Sequence, residues 1–339
     1  MPISVLIGLA AGLVSAVVFV SATTGPPLAQ VALFVLTPLP LYLAGLGLGW
    51  QAAAAGAASG FLALGLAATP IASLVFAASV GLPAAVLSYL ALLSRGLGAP
   101  PTEPGPSYGP PQATALQREW YPVGRLVVAA ALIAGGLILV ALLALGHDVA
   151  TMTESLAPIV RTFALEQLPQ LSGAPPLDEE QIAQLTEAAV HAMPAVGSVT
   201  LMSVMLLNLY LAGRITLASG RLPRPWPDLA TTSFPSRTPL LLAVAMIATF
   251  VTGMPSLIGA GFAGGLYLAY VLMGLAVVHF LTRGQTWRPL ALWMLYIALF
   301  VMNTGLSLLL AILGLADSFA PLRRNRSQPG SRGGPPSTD

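Results

Sequence analysis

A few groups of residues have types and spacings that suggest chemistry. Gly259-Ala260-Gly261-Phe262-Ala263-Gly264 matches the Gly-x-Gly-x-x-Gly turn that cradles a dinucleotide pyrophosphate. That turn needs a preceding strand, a helix N-terminus under the phosphates and an acid about 20 residues later. Its surroundings are apolar and carry no such acid, so the glycines read as small-residue helix packing, with Gly261 and Gly265 one turn apart. Ser307, in Gly305-Leu306-Ser307-Leu308, and His279 are the types of a nucleophile and its base. Ser307 is read instead as bonding its own helix backbone. Paired-carboxylate chemistry would have to use Asp148 and Asp317, which fall at helix ends on different sides. The chain has no cysteine, no His-Glu-x-x-His and no Walker pattern. Disulfides, thiol nucleophiles, a zinc site of that type and ATP hydrolysis are therefore not expected. We assign no catalytic, cofactor-binding or metal residue, and the reading is a protein that is not an enzyme and has no cofactor.

Polar side chains inside apolar runs are the better clue, because hydrocarbon penalises them unless they face protein or a cavity. Tyr42, Asn208, Tyr210 and Asn303 are the candidate cavity-lining residues. For Asn208 an interhelical hydrogen bond is the first reading and a ligand contact the second. No ladder of intramembrane charges exists, which argues against a proton or ion pump. Gly8, Gly12 and Ala16 lie one turn apart and form a candidate helix-docking face.

The elements that hold these residues follow from composition. Only 8% of residues are charged, mean hydropathy is +0.83, and residues 1–94 contain no Asp, Glu, Lys, Arg or His. About a quarter of a soluble domain is charged, so this chain belongs in a lipid bilayer. The fold class is all-α, a polytopic transmembrane bundle of eight or nine hydrophobic segments with a small amphipathic helical insert outside the cytoplasm. Spans are expected at about 3–22, 28–48, 51–68, 70–93, 125–146, 195–217, 238–255 and 257–281, with a last apolar stretch over 289–316. The N-terminus lacks a basic n-region and reads as a retained first helix. "TPLPLYLAGLGLGW", residues 37–50, is the second half of a membrane helix, with Trp50 at the water interface.

Residues 1–93 then form a four-span, charge-free bundle and 94–124 a Pro- and Gly-rich cytoplasmic linker. After the span at 125–146, residues 147–193 form an acidic external insert. Within it Asp178 and Gln181 make a capping box, and Met152, Leu156, Val160 and Phe163 share one face. Residues 194–316 carry the remaining membrane segments and the basic loop 218–237, and 317–339 form an Arg-rich tail. The 14 basic residues are all arginine against 12 acids, which is no nucleic-acid surface. Their placement sets the N-terminus and the basic loops in the cytoplasm. A hairpin at Asn303-Thr304-Gly305 would bring the tail to the same side. Such a chain belongs, multi-pass, in a bacterial cytoplasmic (inner) membrane.

Three stretches resemble the YybS-like family of multi-spanning bacterial membrane proteins, which carry a domain of unknown function. They are residues 36–60, the loop with Pro223, Trp226 and Pro227, and the end "LGLADSFAPLRR" with its Gly-hydrophobic-Asp…Arg close. The chain departs from the family at Ala320-Pro321, where the family tends towards an acid before the arginine. In its first four spans that family is similar to substrate-binding S components of energy-coupling factor transporters. The resemblance implies a small-molecule-binding bundle without its own ATPase, related to transport. Its partner would be a transmembrane coupling protein with ATPases, met through Gly8, Gly12 and Ala16. The alternative is a scaffold or regulator of envelope assembly that contacts envelope proteins through 147–193.

Overall fold

The computed structural model describes residues 2–23, 26–96, 118–146, 148–173, 175, 177–320 and 323. Its elements are the helices α1 (Ile3–Ser21), α2 (Pro27–Leu36), α3 (Leu39–Leu48), α4 (Trp50–Ala67), α5 (Pro70–Phe76) and α6 (Leu82–Leu92). Two short strands, β1 (Ser94–Gly96) and β2 (Arg118–Trp120), precede α7 (Val123–Leu145), α8 (Val149–Thr162) and α9 (Leu168–Ser172). The chain continues through α10 (Glu179–Ala218), α11 (Thr238–Ala248), α12 (Met254–Leu281) and α13 (Arg288–Phe319). Among the described residues, seven segments are long and apolar enough to cross a bilayer: 3–21, 28–48, 50–67, 70–92, 123–144, 179–218 and 254–281. This is an all-α, multi-pass membrane architecture. It divides into two compact units, one of residues 1–126 and 204–227, the other of 127–203 and 228–339.

In the first unit α1 lies against α4 with backbones almost touching. A side chain at Gly12 would collide with the Gly56 carbonyl, and one at Gly56 with the Gly8 carbonyl. Close approach of this kind gains dispersion where lipid offers no hydrophobic drive. Ser59 Oγ adds a bond to Leu9 O (2.8 Å) across the same seam. The expected second span breaks at Thr37-Pro38, because the Pro38 and Pro40 rings remove two helical N–H donors. At the break Thr37 Oγ1 donates back to Leu33 O, four residues earlier, at 2.7 Å. Gly49 then turns the chain at φ 104°, a conformation open to glycine, so α4 starts at the next residue. A π-helical turn, Ala77–Gly81, joins α5 to α6, with Leu82 N–H bonded to Ala77 O. The wider turn comes just before Pro83, whose ring opposes a regular α turn.

β1 and β2 were not expected. They pair antiparallel, Arg95 opposite Glu119, with an ion pair between those side chains at 2.5 Å. Most of the Pro- and Gly-rich linker, 97–117, lies outside the described residues, as do 321, 322 and 324–339 of the tail.

In the second unit, the acidic segment packs down rather than standing free. Met152, Leu156 and Val160 of α8 are buried, and the first two join Leu142, Val190 and Leu257 in one cluster. Asp178 and Gln181 form the capping box, with Gln181 N–H to Asp178 Oδ1 (2.8 Å) and Asp178 N–H to Gln181 Oε1 (3.0 Å). The helix it starts does not stop at the membrane. α10 runs 40 residues through Pro194, so the helix begun by the capping box and the expected sixth span are one continuous helix. Another π turn, Phe163–Gln167, precedes Pro169 as the first precedes Pro83.

α11 ends at Ala248, short of the span expected to 255. Thr249 Oγ1 turns back to Met246 O (2.6 Å), and Gly253 at φ 82° redirects the chain into α12. The Gly-rich stretch on α12 is packing: Gly259 meets Ala245 and Ala248, Gly264 meets Ala195, and Gly265 meets Ala131 and Ser198. Farther along, Gly274 and Gly314 bring α12 and α13 into backbone contact. α13 is helical from Arg288 to Phe319, so no loop opens at Asn303-Thr304-Gly305 as the expected hairpin required.

Candidate functional site

Beyond the acidic segment, two ion pairs of the second unit meet at the loop 228–231, Asp228 with Arg283 and Asp317 with Arg323. Asp228 accepts two hydrogen bonds from Arg283, at 2.8 and 2.9 Å. That guanidinium holds the Asp228 carboxyl below its ordinary range, chiefly through those bonds. Asp228 also caps the turn Leu229–Thr231 through Ala230 N–H (3.1 Å). Two residues on, Ala230 O accepts Arg323 NH1 at 2.7 Å. Arg323 NH2 also meets Asp317 Oδ2 at 2.6 Å, and its Nε lies 3.4 Å from Oδ1. The residues that follow α12 and α13 therefore hold the same loop.

The Asp317–Arg323 pair differs from the others in depth. Its side chains are 4% and 11% exposed, whereas the remaining ion pairs of the described residues range from 45% to 76%. Removing two charges from water is costly unless every donor and acceptor is answered, and ionisable groups so placed mark functional sites by default. The pair forms one wall of an open cleft of about 370 Å³. Phe234, Met273 and Phe280 supply apolar walls, and Ser233, Ser236 and Ser318 bring hydroxyls. Phe234 is fixed edge-on against Tyr270, ring centroids 5.4 Å apart, so that wall is rigid. Apolar walls with convergent polar groups are the ordinary form of a small-molecule site.

The residues singled out from sequence go elsewhere. Asn208 Nδ2 donates to Val35 O and Val204 O, both at 2.7 Å, which ties α10 to the end of α2 beside the proline break. It is an interhelical hydrogen bond. Tyr42 is wholly enclosed, and its hydroxyl has no partner among the described residues. Tyr210 is 45% exposed and packs edge-on against Trp226 at 5.6 Å, while Arg214 stacks over the same indole at 5.2 Å. Tyr210 thus steadies the Pro-Trp-Pro loop rather than lining a cavity. The Asn303 side chain lies outside the described residues. Gly8, Gly12 and Ala16 are buried, with Gly8 and Gly12 on α4, so this docking face is occupied inside the unit.

The candidate chemistries also separate. Ser307 Oγ bonds Tyr267 OH (2.7 Å) and Thr304 O (3.0 Å). His279 sits by Leu275 O (2.9 Å) and Tyr296 OH (3.3 Å), so it serves no serine. Asp148 caps α8 through Thr151 N–H (2.7 Å) and Asp317 pairs with Arg323. No cluster of three or more metal-ligating side chains occurs among the described residues.

The sequence carried one pointer to the cleft, the Gly-hydrophobic-Asp…Arg close. With an alanine at 320, the carboxylate that meets the arginine is Asp317 itself. Nothing in the sequence connects that close to Ala230 or Phe234, which lie more than eighty residues earlier.

No curated protein and no solved structure matches the chain. A family profile does, over residues 111–318, which takes in the Pro-Trp-Pro loop, the cleft's walls and Asp317. The chain therefore belongs to the family of predicted membrane proteins known as DUF2232.

Proposed function

We propose that this is a non-enzymatic, transport-related protein of the bacterial cytoplasmic membrane, which binds a small amphipathic molecule in the cleft at the end of α12. One observation carries the reading: the most buried ion pair among the described residues lines an open cleft of mixed apolar and polar walls instead of a packed core. In this reading the binding chemistry lies in the second unit, not in the four-span bundle that resembles S components. A coupling protein with ATPases would meet the outer side of α1, where Leu6, Leu13 and Val17 are exposed. Native mass spectrometry of protein purified in mild detergent is the test. One retained amphipath per chain, lost when Ser236→Trp fills the cleft, supports the reading. A bare chain from several growth media overturns it.

The second reading is a scaffold that meets envelope proteins through the acidic segment. It is favoured by the order of that segment, whose α8 is packed on one face while Arg161 clasps Glu179 (2.5 and 2.8 Å) on the other. Charge reversal at Glu154, Glu166 and Glu187 should then abolish partner capture and leave ligand retention unchanged.

A further inference from the structure

We infer that the cleft selects an amphipathic anion, with an oxygen-rich, phosphate-type head at Arg323 and an apolar tail along Phe234 and Phe280. This rests on the ligand-binding reading above and specifies its chemistry.

The cleft keeps donors that no protein acceptor uses. A guanidinium has five N–H groups. Those of Arg323 serve Asp317 twice, Ala230 O once and the weak acceptor Met273 Sδ at 3.8 Å, which leaves one NH1 hydrogen uncommitted. Ser233 and Ser236 line the cleft, and their hydroxyls make no hydrogen bond among the described residues. The Asp317 oxygens, in contrast, both face Arg323. A ligand that brings oxygen acceptors meets the free guanidinium hydrogen together with the serine hydroxyls, which donate to an acceptor as readily as they accept.

Net charge points the same way. Between residues 227 and 323 the chain carries Arg237, Arg283, Arg288 and Arg323 against only Asp228 and Asp317. The two acids are matched to Arg283 and Arg323. Arg237, next to cleft-lining Ser236, and Arg288 have no ion-pair partner among the described residues. An anionic head is thus favoured over a zwitterionic one. The tail follows from the walls: Phe234, Met273 and Phe280 turn apolar surface into the cleft, and Met273 and Phe280 belong to a helix long and apolar enough to cross a bilayer. A free anion would leave that surface unused.

The experiment adds phosphatidylglycerol, phosphatidylcholine or inorganic phosphate to the delipidated full chain in neutral detergent and reads one-to-one complexes by native mass spectrometry. Phosphatidylglycerol should bind about tenfold more tightly than phosphatidylcholine, with inorganic phosphate weaker still. Arg323→Gln should erase that preference. Asp317→Asn, which frees the guanidinium, should strengthen it, and Ser233→Ala with Ser236→Ala should weaken it without touching the ion pair. Opposite signs for Arg323→Gln and Asp317→Asn separate anion binding from mere loss of structure. Equal binding of the two lipids overturns the head-group assignment while the ligand-binding reading stands. Phosphate that binds as well as phosphatidylglycerol overturns the tail. Failure of every lipid overturns both readings.

Discussion

The two units solve the same packing problem with different materials. Each has a helix pair in backbone contact at glycines, Gly12 with Gly56 in the first and Gly274 with Gly314 in the second. Around the first pair the chain has no charge at all through residue 94, and side-chain hydroxyls turn to nearby carbonyls. Around the second, an ion pair buried to a few per cent fastens the end of α13 to a loop. Shape alone suffices to hold helices in lipid. The buried charge is therefore not needed for packing as such. Its cost is compatible with a cleft that must stay polar, and that difference is why the proposed ligand site is set in the second unit.

The comparison can be broken first at the ion pair. Arg323→Ala leaves Asp317 buried and alone and should cost about 3–5 kcal/mol, read as a fall in the detergent melting temperature. A change under about 1 kcal/mol, the worth of a surface pair, would show that water reaches the carboxylate and would erase the contrast in depth. Next comes the first unit's seam. Gly12→Leu drives a side chain into the Gly56 carbonyl and should cost about 3 kcal/mol, with no dependence on salt. Salt-sensitive loss there would mean that charge matters where none was found.

Asn208→Ala should cost about 1–2 kcal/mol, because Val35 O loses its donor. Urea or thermal unfolding in detergent reads it, and a neutral result would mean that another donor serves that carbonyl. The smallest effect concerns Asp228. Its folded pKa is depressed, so its contribution is present above the unfolded value of about 3.9 and disappears as pH falls through the folded one. Acidification below about pH 4 should free the 228–231 loop to limited proteolysis, and Asp228→Asn should remove that pH dependence. The first unit, whose core has no carboxylate, should not respond.

Much of the fold was legible because composition alone separates lipid from water: the charge-free spans and the capping box at Asp178 fall where the residues indicate. Boundaries governed by proline were not. Pro38 interrupts the helix within a segment that is still long enough for one span, whereas Pro194 is absorbed by a helix expected to end there. The same ring does either, depending on whether neighbouring packing answers the freed carbonyl. α11 was overread because Thr249 to Gly253 are as acceptable to a membrane as the helix before them. The cleft was the least legible part. Its walls come from segments separated by dozens of residues, and an arginine whose partner is a backbone carbonyl leaves no mark at the carbonyl's position. Asn208 was legible as a polar residue in an apolar run, and its partner was not, for the same reason.

The π turn at Ala77–Gly81 has a geometric consequence of its own. A helix advances by about 100° per residue, so one extra residue in a turn rotates everything after it by about that angle. α5 and α6 are thus two cylinders on one axis with their faces out of phase. Before the turn, Phe76 is seated on Gly60. Its last residue, Gly81, meets Ala57, and after it Ser88 on α6 reaches Gly45 of α3. A uniform helix with the same residues would send one of those contacts into the lipid. The widened turn acts as a phase shifter, which lets one crossing address two neighbours that lie in different directions.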